Sequence, residues 1–267
     1  MRDNRRNKKG REKKTRLMKK VIFIDWDDTI GDWTTSAIRA QQEVYDKHHF
    51  VEFWPQFEDY FAAYQEHNAW LWAEYAAGRV TKEFLARDFT LYPLVQALGG
   101  GELLYQSKPL QALADTVCQE FLKLTNQFAQ LLPGAKETVD YLRTKYDLVI
   151  VSNGFTDVQY DKVNESGIRD RFLEMVMSEE AGVNKPDPRF FTIALERTNK
   201  ARIAAGKQPV TKDEIILIGD GYGSDIEGAK NFGIEQIYIC RDEETMQDES
   251  KTATYKVRSL AEVAEIL

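Results

Sequence analysis

The sequence predicts a doubly wound α/β fold, a mostly parallel Rossmann-like sheet interrupted by an all-helical insertion. Short β-branched apolar runs recur, each ending in polar or acidic residues, with helix-length segments between them. That alternation stops between Ile30 and Pro133, where aromatic residues recur at helical spacing instead. With 267 residues, 43% hydrophobic and 30% charged, the chain can bury one sizeable core and a smaller companion.

The first twenty residues hold eleven Lys or Arg against two acids, while the rest of the chain carries 25 basic and 41 acidic residues. Residues 1–17 are read as a solvated basic tail, with Met18 a candidate start. A basic arm can hold nucleic acid through its phosphates, but a solvated arm is the plainer reading, and no nucleic-acid partner is expected. The apolar run that follows, 21–24, is too short for a secretion signal. No stretch reaches the roughly 18 apolar residues of a membrane span. Two distant cysteines, Cys118 and Cys240, imply neither a disulfide scaffold nor a zinc site. A cytoplasmic protein with no membrane partner is expected.

Val21, Ile22, Phe23 and Ile24 form the first expected strand, and further strands are expected at 148–151, 215–218 and 236–240. Helical periodicity fits 135–145, 188–198, 224–232 and 260–267, and the polar stretch 199–213 reads as a loop-rich connection. In the insertion, Phe53, Trp54, Phe57, Tyr60, Phe61, Tyr64, Trp70, Trp72 and Tyr75 are read mostly as the core of a helical unit punctuated by Pro55, Gly78 and Gly99–Gly101. The division that follows is an α/β core over 18–34 and 126–267, with a helical domain over 35–125.

Ligands in such folds bind beyond the carboxyl ends of the strands, and the chemistry-bearing residues of this chain cluster there. Asp25, Trp26, Asp27, Asp28 and Thr29 follow the first strand. Two carboxylates one residue apart at a strand end point to the same side, and at about 4 Å they repel by about 4 kcal/mol at an effective dielectric of 20. A hard cation such as Mg²⁺ offsets that cost and leaves room for phosphate oxygens and water. Helix capping accounts for Asp28 and Asp32 but not for Asp25. A calcium loop fails on spacing, since Ile30 and Ser36 stand where Gly and Glu are needed.

A second acidic site is Gly219, Asp220, Gly221, Tyr222, Gly223, Ser224, Asp225, where Asp225 is also a suitable first-turn acid for the next helix. Ser152, Asn153 and Gly154 close another strand, either as an anion site or as a plain helix cap. Lys185 stands before two prolines in Asn184-Lys-Pro-Asp-Pro188, a positioned charge on a turn.

Taken in order, Asp25-Trp-Asp27-Asp-Thr29, Ser152-Asn153-Gly154, Lys185-Pro-Asp-Pro, and Gly219-Asp220 with Asp225 resemble the four motifs of the haloacid dehalogenase superfamily. The segments Leu132-Pro-Gly134 and Gly228-Ala-Lys-Asn-Phe-Gly233 are also similar to that family. The resemblance implies Asp25 as a nucleophile that becomes an aspartyl phosphate, and Asp27 as the acid that protonates the leaving group and then activates water. It implies Thr29, Ser152 and the amide of Asn153 as phosphate holders, and Lys185 as the counter-charge. Mg²⁺ would be bound by Asp25, the backbone carbonyl of Asp27 and Asp220, with Asp225 ligating through water or bracing Lys185. Dehalogenases of this kind lack an acid at the position of Asp27, so phosphate esters are the implied substrates. The insertion resembles a helical cap, and the Ser178–Pro188 run resembles the pyrimidine and noncanonical 5'-nucleotidase branch.

The expected substrate is a small phosphorylated metabolite, a nucleoside 5'-monophosphate first and phosphoglycolate or a sugar phosphate second. A phosphomutase and a binding protein without catalysis are the remaining alternatives. Trp26 departs from the commoner small residue between the two acids, and Trp33 is the first aromatic to test for substrate contact.

Overall fold

The computed structural model describes residues 18–267; the basic tail expected over 1–17 lies outside them. The described chain begins with β1 (Val21–Ile24), then runs through α1 (Trp33–Lys47), α2 (Phe57–Ala76), α3 (Lys82–Ala97), α4 (Glu102–Tyr105) and α5 (Lys108–Gln127). It returns through α6 (Ala135–Leu142), β2 (Asp147–Ser152), α7 (Thr156–Glu165), β3 (Phe172–Met177), α8 (Ser178–Ala181) and α9 (Pro188–Ala204). The last part is β4 (Ile215–Gly219), α10 (Glu227–Phe232), β5 (Glu235–Ile239), α11 (Glu243–Gln247), β6 (Tyr255–Val257) and α12 (Leu260–Ile266).

The strands pair in the order β3-β2-β1-β4-β5-β6, and every pairing is parallel. β1 is central and apolar on both faces, as a strand covered by helices on each side must be. Ile22, Ile24, Ile150 and Ile218 bury one face with Val139 of α6, Val163 of α7 and Val263 of α12. Phe23, Val149, Val151 and Leu217 bury the other with Phe190, Phe191 and Ala194 of α9 and Ala229 of α10. From β1 the chain builds outward to β2 and β3, then crosses back to place β4 on the opposite side of β1. That reversal opens a crevice at the strand ends. The register sets Ile24 beside Ile150 and Ile218, so the residues that follow these strands emerge at one level.

Helices α1, α2, α3 and α5 bury a separate cluster that includes Val44, Tyr60, Tyr64, Leu71, Leu85, Phe89, Val117 and Phe121. Most of the aromatic load of the insertion is thus its own core, although Trp70 is exposed.

The structure differs from the sequence expectation in several elements. β3 and β6 were not anticipated: β3 carries Glu174 in mid-strand, and β6 is only Tyr-Lys-Val. Helix α9 runs on to Ala204, into the first part of the 199–213 stretch read as loop, where Arg202 is buried against the Gln208 carbonyl and the Asp147 carboxylate; the rest of that stretch is a connection up to the turn at Lys212–Glu214. The helix expected at 135–145 ends at Leu142, and the fifth strand begins one residue earlier than expected. The helix expected at 224–232 starts as a wide π turn over Tyr222–Ile226, and α10 follows it. The Gly221 carbonyl accepts from both Asp225 N (2.7 Å) and Ile226 N (3.3 Å), which draws Asp225 inward.

Candidate active site

Lys185 organises the crevice. The side chain is 2% exposed, and its ammonium donates to Asp25 Oδ1 at 2.8 Å, Asp225 Oδ1 at 2.6 Å and the Val151 carbonyl at 2.9 Å. All three ammonium protons are used, so the lysine is fixed as a point charge between two carboxylates. The turn that carries it is held by Asn153, whose Oδ1 accepts from Lys185 N (2.8 Å) and whose Nδ2 donates to the Lys185 carbonyl (2.9 Å). Burial alone would lower the Lys185 pKa, but Asp225 and Asp25 overcome it and leave the pKa raised.

Carboxylate oxygens of Asp25, Asp220 and Asp225 lie within 4.8 Å of one another. Burial raises the pKa of Asp25 well above its ordinary value against the pull of Lys185, with Asp225 and Asp220 adding to the rise. Burial and Asp225 push Asp220 up to about 7. Three acids thus share one fully engaged lysine, with Arg241 3.9 Å from Asp220 on the solvent side. A set of hard oxygen donors short of positive charge fits a divalent cation of the Mg²⁺ kind. Asp225 is 1% exposed and also accepts from Gly221 N at 3.0 Å, so it cannot serve merely as a dipole-facing acid at the helix surface. A Cβ on Gly219 would meet the Asp225 carboxylate at 2.6 Å, which explains the glycine there.

Asp27 stands apart from that cluster. Its carboxylate accepts from Gln159 Nε2 at 2.6 Å and from Lys162 Nζ at 2.9 Å, so only its backbone remains for the metal role that the sequence implied. Thr29 is fully buried and donates to Asp220 Oδ1 at 3.1 Å; it does not line the cavity, and its hydroxyl is committed to a carboxylate rather than open to phosphate. Ser152 Oγ accepts from Gln159 Nε2 (2.9 Å) and Gly154 N (3.0 Å), which leaves its own proton free to donate. Asp28 and Asp32 do what local capping predicts: Asp28 accepts from the amide and hydroxyl of Thr34, and Asp32 caps α1 through Thr35 N.

A cavity of about 220 Å³ lies over these groups. Asp25, Asp27, Ser152, Asn153, Lys185, Asp220 and Asp225 line its floor, and Trp33, Tyr64, Asn68, Trp72, Phe89 and Phe121 from the helical segment line its roof. Gln159 and Lys162 were not singled out from the sequence. Their only signal is a spacing of three on the helix that follows Ser152-Asn153-Gly154, and an isolated glutamine and lysine at such spacing are ordinary on helix surfaces.

A parallel sheet with a crevice at its strand ends, a carboxylate at the central strand end and a lysine fixed across from it define a doubly wound α/β protein with a polar site at the point where its strand order reverses. Residues 19–233 match the haloacid dehalogenase-like hydrolase family, and the chain belongs to that family, on its phosphatase side. The HAD-hydrolase YfnB of Bacillus subtilis is 24% identical, over 93% of this chain and 95% of its own. Its magnesium-bound crystal structure superposes with a TM-score of 0.76, covering 94% of this chain and 99% of that one. The pyrimidine 5'-nucleotidase YjjG of Escherichia coli is 26% identical, covering 92% of this chain and 96% of its own. A glyceraldehyde 3-phosphate phosphatase of Pyrococcus abyssi is 27% identical, covering 83% and 82%. No helix among the described residues is long and apolar enough to cross a membrane.

Proposed function

We propose that this hydrolase is a Mg²⁺-dependent phosphomonoesterase that works through an aspartyl phosphate on Asp25, with a nucleoside 5'-monophosphate as its substrate. The observation that carries the reading is the separation of two carboxylates a residue apart: Asp25 is bonded to Lys185, and Asp27 to Lys162 and Gln159. Lys185 offsets the burial that opposes a charged Asp25, while Asp27 is held in a hydrogen-bonded place of its own, and two-step phosphate hydrolysis requires two such separately placed acids.

Asp25, Asp220, Asp225 and the carbonyl of Asp27 would hold the Mg²⁺, which when bound supplies charge neutralisation for the phosphate. Asp25 attacks phosphorus as the P–O ester bond breaks, and Asp27, protonated at the start of each cycle, gives its proton to the departing ester oxygen. Asp27 then takes a proton from the water that attacks the phosphoryl group, which frees phosphate and restores Asp25. Lys185 balances the charge that Asp25 and the transferred oxygens share, and the Ser152 hydroxyl with the amides of Asn153 and Gly154 is available to phosphate oxygens. The helical segment, over residues 35–125, acts as a cap that excludes water while the intermediate exists.

The ring-lined roof of the cavity favours a substrate that carries a flat aromatic base, which supports a nucleoside over a bare sugar phosphate. The nucleotidase activity of the relative YjjG points the same way. A sugar phosphate is the second reading, after the Pyrococcus relative. The test is a panel of phosphate monoesters with and without Mg²⁺, scored for free phosphate. Nucleoside monophosphates should lead the panel, and Asp25→Asn should lose at least about a thousandfold in kcat. Full activity of Asp25→Asn, or an isomerised phosphorylated product in place of free phosphate, would falsify the reading.

A further inference from the structure

We infer that Lys162 and Gln159 are positioning residues for Asp27, and that Trp33 ties their placement to the helical segment over the site. The inference rests on the phosphatase reading above and goes beyond it by naming how this chain aims its proton carrier.

Lys162 is 5% exposed, unusual for a lysine outside the Lys185 cluster. Its ammonium bonds Asp27 Oδ1 at 2.9 Å and lies 3.8 Å above the centre of the Trp33 ring. A lysine is kept this deep only when its charge is met, and here it is met by one carboxylate and one aromatic face. Gln159 is 1% exposed and takes the other oxygen, with Nε2 donating to Asp27 Oδ2 at 2.6 Å and to Ser152 Oγ at 2.9 Å. The two residues are three apart on α7 and so share one helical face. They grip the carboxylate by both oxygens, which fixes its plane as well as its place.

The glutamine shows that this grip has a cost. Its Oε1 is buried with no hydrogen-bond partner, a penalty that the two bonds made by Nε2 offset. Turning the amide over would set Oε1 against the Asp27 carboxylate whenever that acid is ionised. The orientation is therefore dictated by Asp27. The backbone also makes room for it: a Cβ on Gly154 would collide with the Gln159 amide, so the glycine that follows Ser152 and Asn153 leaves the path along which Gln159 reaches Asp27.

Trp33 brings in the cap. It is the first residue of α1, and its ring also meets Phe121 of α5 edge-on, with centroids 6.1 Å apart. Any shift of these helices over the cavity moves the ring against which Lys162 rests. Lys162 and Gln159 keep the same proton count throughout the reaction. Asp27 alone exchanges protons, giving one to the ester oxygen as the P–O electron pair leaves with it, and taking one from the incoming water.

The test exploits leaving-group chemistry. An alkyl phosphate needs its leaving oxygen protonated, whereas p-nitrophenyl phosphate leaves as a stable anion and needs little help. For Lys162→Met, kcat/KM on an alkyl phosphate monoester such as a nucleoside 5'-monophosphate should fall at least about tenfold further than on p-nitrophenyl phosphate, since general acid catalysis supplies about 10²–10⁴. Gln159→Leu and Trp33→Leu should shift the same ratio in the same direction, less strongly, and Lys162→Arg should recover part of it. If Lys162→Met does not fold, the ratio read on Gln159→Leu and Trp33→Leu decides. Equal losses on both esters in these variants overturn the inference and leave the groups purely structural. A wild-type protein inactive on every ester overturns the phosphatase reading instead.

Discussion

Replacing Asp220 by asparagine should make the metal-free protein more stable while it destroys the site. Of the three clustered carboxylates, Asp220 is the one without a bond to Lys185. Its compensation is the Thr29 hydroxyl, which an asparagine Oδ1 still accepts, and Arg241 at 3.9 Å, a partly exposed contact worth no more than about 1 kcal/mol. Two charges within 4.8 Å of each other repel by about 3.5 kcal/mol at an effective dielectric of about 20, and Asp220 faces two such neighbours. Lys185 already screens part of that field, so a net relief of about 1–3 kcal/mol is a sound expectation, or about 2–12 °C in Tm for a chain of this size. Thermal melts at pH 8.5 keep the carboxylate charged, because burial and Asp225 push its pKa only to about 7. In EDTA the variant should melt higher than wild type. Mg²⁺ at a hundred times its Kd should raise wild type by about 2.7 kcal/mol and leave the variant where it was. A variant that melts lower in EDTA, or keeps the full Mg²⁺ shift, would refute the view that these acids form an under-compensated cation site.

The opposite sign is expected for Lys185→Met. Removing the ammonium leaves Asp25 and Asp225 facing each other in a buried place, at a cost of about 3–5 kcal/mol, read as a lower Tm in EDTA that added Mg²⁺ partly restores. Behind the site, Gly228→Ala would set a Cβ 2.6 Å from the Phe191 ring and 3.0 Å from the Cα of Pro186, the residue next to Lys185. Overpacking of that kind costs about 1–3 kcal/mol, so a lower denaturation midpoint is expected, together with a lower kcat because the turn that carries Lys185 is pressed.

The strands that position the site were legible because their signal is local. β1 and β4 are unbroken apolar runs that end in acids, and nothing beyond their own residues is needed to read them. β3 was not legible. Its Glu174 makes sense only beside Arg197 at 2.9 Å, a partner 23 residues away on the next long helix. The same holds in the site. Asp25, Asp27, Asp220 and Lys185 stand at strand ends or on a turn fixed by prolines, and could be named from their places in the chain. Lys162 and Gln159 sit in a helix of ordinary composition, and their partner Asp27 lies 135 and 132 residues away. The Thr29 hydroxyl was assigned toward phosphate on the strength of a motif, and the fold gives it to Asp220, which arrives from 191 residues further on.

The distribution of charge explains why one side of the crevice calls for a metal and the other does not. Asp27 has a cation of its own, Lys162, and a neutral donor, Gln159, so its environment is complete among the protein's own residues. Asp25 and Asp225 share Lys185, whose third proton goes to the Val151 carbonyl, and Asp220 beside them has no bond to it. A second lysine on that side would satisfy the acids and, on the proposed reading, remove the demand for a divalent ion. The chain instead places its second buried lysine beside Asp27, where on the proposed reading it holds the proton carrier without competing for a cation. Keeping the two lysines on separate acids allows neighbouring carboxylates, one residue apart, to do different chemistry.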